Sequence, residues 1–162
     1  MSYKVYNEKE IKELDLIPSG TKVELVVAEK VTLGQNEHRT EATVSNNGNE
    51  MIKVVNEIYN EEGNKITTIL DFIVPGSRYG DKKLFQFCKS LNIIDAYAKS
   101  DLNAVVNAAI GKSGYATISI QKGEDEYPDR NSIGMYVSGA ATSKELQKAK
   151  DVEEELDDDI PF

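Results

Sequence analysis

Residues 51–74, MIKVVNEIYNEEGNKITTILDFIV, hold two stretches rich in β-branched residues, separated by the turn formers between Asn60 and Asn64. Such stretches favour extended backbone, and Gly63 can take the positive φ that closes a hairpin. The two strands are the longest that the chain offers, so its fold must be built around a sheet. Other segments extend it. In TKVELVVAEKV the residues Val23, Leu25 and Val27 share one face of a strand; GYATISIQ sets Ala116, Ile118 and Ile120 against Tyr115, Thr117 and Ser119; NSIGMYVS sets Ile133, Met135 and Val137 against Tyr136. The polar region with Gly34, Asn36, Asn46, Asn47, Gly48 and Asn49 leaves room for a short strand around HRTEATV.

Helical spacing intervenes in three places. Ile11, Leu14 and Ile17 mark a short amphipathic helix closed by Pro18 and Gly20. Asp81 can cap KKLFQFCKSLNI, whose Leu84, Phe87, Cys88 and Leu91 form one apolar stripe, and Ser100 can cap DLNAVVNAAI, which stops at Gly111. Beyond Gly139 no strong period survives, so the ordered body is expected to end near Val137. The order is strand, long hairpin, helical segment, strand, strand. A five-stranded Greek-key barrel with a helix between its third and fourth strands has this order, the plan of the oligonucleotide-binding (OB) fold. A mixed α+β sandwich fits it too. The fold class expected is mainly β with inserted helices: an OB-type domain over residues 1–138 and a disordered acidic tail over 139–162.

Composition narrows the chemistry. A chain of 162 residues, 40% hydrophobic, supports one domain and an appendage. It has no apolar run near 18 residues and a polar N-terminus, so no membrane partner and a cytoplasmic location are expected. One cysteine, Cys88, and one histidine, His38, leave zinc without a ligand set. No metal or other cofactor is expected. Cys88 lies on an apolar helix face and Asp71 in an apolar strand, so both read as structural, and no phosphate-cradling GxxxxGK[ST] occurs. Nothing here has the layout of an enzyme.

The net charge of −9 is unevenly spread. Seven of the 28 acidic residues fall between Asp151 and Phe162, with no basic one, leaving residues 1–150 with 19 basic against 21 acidic. The body is nearly neutral, and its cations are free to gather on one face.

The last residues, DDDIPF, resemble the acidic tip of bacterial single-stranded DNA-binding proteins. GNEMIKVVNEIYNEEGNKITTILDFIV, then LFQFCKSLNI, IGKSGYATISIQKG and NSIGMYV resemble, in their order, a family of phage-type single-stranded DNA-binding proteins, over roughly residues 15–138. The connection from Thr32 to Asn49 is longer than is usual in that family. The resemblance implies an OB fold that coats and protects single-stranded DNA in replication, recombination or repair. It also implies a host-cell cytoplasm if the source is a phage. A protein-interaction adaptor with an OB-type barrel and a single-strand annealing protein remain alternatives, and a homo-oligomer is possible.

Binding a single strand without sequence preference takes cations for phosphates and exposed aromatic faces for bases. The residues of those types on polar strand faces or in loops are Lys53, Tyr59, Lys65, Arg78, Tyr79, Lys82, Lys112, Tyr115, Lys122, Tyr127, Arg130 and Tyr136. They are the candidate DNA-binding residues. At the tip, Pro161 keeps Ile160 extended, so Ile160 and Phe162 become two apolar anchors behind Asp157, Asp158 and Asp159. These six residues are the candidate contact with replication, recombination or repair proteins.

Overall fold

The computed structural model describes residues 3–125 and 127–138. In chain order they form α1 (Glu8–Glu13), β1 (Lys22–Ala28), β2 (Lys30–Leu33), β3 (Asn36–Arg39), β4 (Glu41–Val44), β5 (Glu50–Tyr59), β6 (Lys65–Ile73), α2 (Arg78–Ser90), α3 (Ile94–Tyr97), α4 (Leu102–Ala109), β7 (Ser113–Gln121) and β8 (Arg130–Val137). The fold is mainly β, with antiparallel pairing throughout. No described helix is long and apolar enough to cross a membrane.

The long hairpin is the centre of the sheet. β5 pairs with β6 along one edge, from Ile52 opposite Ile73 to Tyr59 opposite Lys65, and Gly63 turns between them with φ 82°. The other edge of β5 is shared. β1 pairs with residues 55–59 and β4 with residues 50–53, so β4 continues the line of β1 along the same neighbour. β7 pairs with the free edge of β1, and β8 with β7. The sheet curls until its two outermost strands meet, where the Tyr136 hydroxyl of β8 donates to Asp71 Oδ2 of β6 at 2.6 Å.

Burial follows the period-2 pattern on the inner face. Val23, Leu25, Val27, Ile52, Val54, Ile58, Ile69, Ile73, Ala116 and Ile118 are buried there, closed over by Phe87, Cys88 and Leu91 from α2 and its end and by Val105, Val106 and Ala109 from α4. The helical segment between β6 and β7 thus plugs the core, as its apolar stripes require. α2 begins earlier than Asp81: Ser77 is its cap, accepting from the Gly80 amide at 3.1 Å, while Asp81 Oδ1 accepts from the Gly76 amide at 2.9 Å. Gly80 is needed there because any Cβ would lie 1.8 Å from the Val74 carbonyl oxygen. α4 is capped by Asp101, one residue after the expected Ser100. α1 differs more, since Ile11 and Leu14 are exposed and only Ile17 packs on the core.

Two departures from simple alternation matter. Between β1 and β4 the chain leaves the sheet as a separate two-stranded arm, β2–β3, turning at Gly34 with φ 65°. In β8 the register jumps: Met135 faces Thr117, but Ile133 faces Ile118, so Gly134 is an extra, unpaired residue. This bulge reverses the alternation after it. Met135 turns outward, and Tyr136 turns into the core, where its ring meets that of Phe87 at 5.0 Å.

Candidate nucleic-acid interface

Period 2 gives the sheet an outward face opposite its core, and the register places side chains on it row by row. In one row Lys65, Tyr59, Glu24 and Tyr115 stand directly opposite one another across β6, β5, β1 and β7, and Val137 of β8 follows Tyr115. Neighbouring strands lie about 4.8 Å apart, so the two tyrosines are about 10 Å from each other with Glu24 between them. Lys22, two residues before Glu24 on the same face, holds its ammonium 4.8 Å from the centre of the Tyr115 ring. That is a cation–π contact, and it stations a charge beside an aromatic face. Lys65 forms a half-exposed ion pair with Glu57 at 2.9 Å.

A second row on this face joins Phe72, Lys53 and Glu41 across β6, β5 and β4. Phe72, near the end of the outermost strand β6, is 46% exposed. The Lys53 ammonium lies 2.7 Å from His38 Nδ1 of the arm. An ammonium only donates, so Nδ1 is the acceptor in this contact. Arg130 faces Gln121 at the far end of β7–β8 and bonds its side-chain oxygen at 3.2 Å. By the alternation along β7, Gln121 and Arg130 belong to the same face as Tyr115.

The candidates therefore divide. Lys53, Tyr59, Lys65, Tyr115 and Arg130 share the outward face of the sheet. Arg78, Tyr79 and Lys82 sit on the first turns of α2, with Tyr79 71% exposed; Lys112 is in the turn before β7; Lys122 and Tyr127 are in the loop between β7 and β8. In that loop the Asp129 carboxylate accepts from the Gly123 amide at 2.9 Å and approaches Lys122 at 3.4 Å. The amide bond first, then the lysine charge, hold its pKa below the ordinary value. Tyr136 is a correction. Its ring is 2% exposed, so it offers no face to a base, and the Gly134 bulge is the reason. The tip residues Asp157, Asp158, Asp159, Ile160, Pro161 and Phe162 lie outside the described residues.

Tyr136 belongs instead to a polar chain through the core. Its hydroxyl accepts from Asn56 Nδ2 at 3.3 Å and donates to Asp71, whose other oxygen accepts from Lys83 Nζ at 2.9 Å. Burial first, and then the Asp71 charge, push the Tyr136 pKa well above the ordinary value. Asp71 is thus a structural carboxylate with two donors. Burial likewise pushes the Cys88 thiol up to about 12, where it is no nucleophile.

Lys22, Glu24, Phe72 and His38 were not among the sequence candidates. The first two were readable: they alternate with Val23 and Leu25 and so fall on the face opposite the core. His38 was not, since its partner is 15 residues away through a hairpin of no apolar period. No family model matches the chain, and no curated protein is significantly similar to it.

Proposed function

We propose that the protein binds single-stranded DNA on the outward face of its sheet. The observation that carries this reading is the row Lys65–Tyr59–Glu24–Tyr115 with Lys22 over Tyr115, because it sets two half-buried aromatic rings and two cations on one outward face. Bases of any identity can stack on tyrosines at about 1–3 kcal/mol each, while lysines follow the phosphates. The strand order supports an OB fold: reading β1, β5, β6, β7 and β8 as the five strands gives a curled sheet in which the first pairs with the second and fourth and the third meets the fifth, with helices between third and fourth. In such folds the face of the second and third strands is a common seat for oligonucleotides. Here those strands carry Lys53, Tyr59, Lys65 and Phe72.

On this reading the domain coats and protects single strands during replication, recombination or repair, and the tip Asp157–Phe162 recruits the enzymes that act on them. Chemistry on the DNA is left to those partners. The test is anisotropy of a fluorescent oligo-dT titrated with the whole chain at several salt concentrations. Binding should weaken with salt, and Tyr59→Ala and Tyr115→Ala should each cost about 1–3 kcal/mol. Binding that is absent, or indifferent to both substitutions in folded protein, overturns the reading.

A further inference from the structure

Glu24 is out of place on a surface for a polyanion. It stands in the middle of the candidate row, directly opposite Tyr59 on one side and Tyr115 on the other, and among the described residues its carboxylate has no ion pair or hydrogen bond. Lys22, the nearest cation along the same strand face, is instead over the Tyr115 ring. A carboxylate so placed repels phosphates and only accepts hydrogen bonds. It gains something from a nucleic acid only where a base turns a donor toward it.

We infer that Glu24 reads the bases stacked on Tyr59 and Tyr115, favouring those with an exocyclic amino group over thymine; the inference rests on the single-strand reading above. Tyr59 has Lys65 on its other side and Tyr115 has Val137, so the one neighbour that the two rings share is Glu24, and a base lying flat on either ring with its polar edge turned inward along the row meets that carboxylate. Cytosine offers the N4 amino group there, a matched donor at the edge of the ring, whereas thymine's one donor, N3–H, is set between two carbonyl oxygens that a carboxylate repels. The carboxylate pairs with the first and repels the second. The surface therefore holds a mild base preference on an otherwise sequence-tolerant face. Comparing the two pyrimidines isolates this effect, because their stacking areas are alike.

The experiment uses the whole chain with fluorescein-labelled oligo-dC and oligo-dT of about 20 nucleotides, a length that covers one or more OB-type sites, in mildly alkaline buffer. The wild type should prefer oligo-dC by about tenfold. E24Q keeps the size of the side chain but both donates and accepts, so it should bring the ratio close to one, chiefly by strengthening oligo-dT binding. E24A should also erase the preference, and far-UV melting checks that both variants are folded. Equal wild-type affinity for the two oligonucleotides, or a ratio that E24Q and E24A leave unchanged, overturns the role of Glu24 and leaves single-strand binding standing. A wild type that binds neither oligonucleotide overturns both.

Discussion

At Thr40 one hydroxyl accepts from the Val55 amide at 2.9 Å and donates to the Ala28 carbonyl at 2.7 Å, filling the gap on the edge of β5 where β1 stops and β4 begins. The side chain stands in for a missing strand residue. Thr40→Val keeps the shape but orphans two backbone groups, each costing about 1–3 kcal/mol when buried, so a loss of about 2–4 kcal/mol is expected from urea unfolding with little change in slope. Tyr136 and Cys88 supply a pH prediction. Both have pKa values raised in the folded protein, so their stabilising contribution is whole below their unfolded values, 9.0 for the thiol and 10.0 for the phenol. It drains as pH rises above those values, because the unfolded chain releases protons that the folded chain must keep. Stability should therefore fall from about pH 9 upward, and Cys88→Ala and Tyr136→Phe should each flatten that decline. An alkaline limb unaltered in both variants would contradict the burial argument. The two residues differ in legibility: the apolar stripe of α2 announced Cys88, whereas a single glycine inserted at Gly134 reversed the face of Tyr136 and left no periodic trace.

Elements with one buried face were readable, and those without one were not. The hairpin of β5 and β6 and the stripes of α2 and α4 each carry a period that burial demands, which is why their existence could be inferred though their caps were misplaced by a few residues. The arm has exposed positions on both strands, so nothing in its sequence had to alternate. α1 is the converse case, a helical spacing whose Ile11 and Leu14 meet no core in the described residues. Because β4 continues β1 along β5, with Ala28 opposite Val55 and Glu41 opposite Lys53, one residue suffices to bridge them opposite Val54. The arm is therefore an insertion in a strand. Replacing residues 29–40 by a single threonine should give a continuous strand from Lys22 to Val44 that still folds cooperatively, as read from a single thermal transition with an unchanged strand signal. Loss of cooperative unfolding in that variant would mean that the arm, through the His38–Lys53 contact, holds the sheet together.

For the molecule as a whole, charge is divided so that a nearly neutral body, 19 basic against 21 acidic residues, is joined to a segment with seven acidic residues and no basic one. Opposite charges on separate molecules are screened beyond about 10 Å at ordinary salt, but a segment of the same chain, were it joined by a flexible linker, would meet the body at a local concentration in the millimolar range. If the outward face of the sheet attracts phosphates, it attracts these carboxylates too. They then compete with DNA. Deleting residues 151–162 is expected to tighten oligo-dT binding at low salt, with the gain shrinking as salt is added, because the competitor and the ligand are held by the same lysines. The salt slope itself separates the contributors: Lys22→Ala, Lys53→Ala and Lys65→Ala should each flatten it by about 0.7 unit for every phosphate that the lysine had neutralised, in the full chain and the truncated one alike. Tyr59→Ala should lower affinity without altering the slope, since stacking releases no counterion. Equal affinity of the full and truncated chains at low ionic strength would show that the acidic segment does not compete for the face.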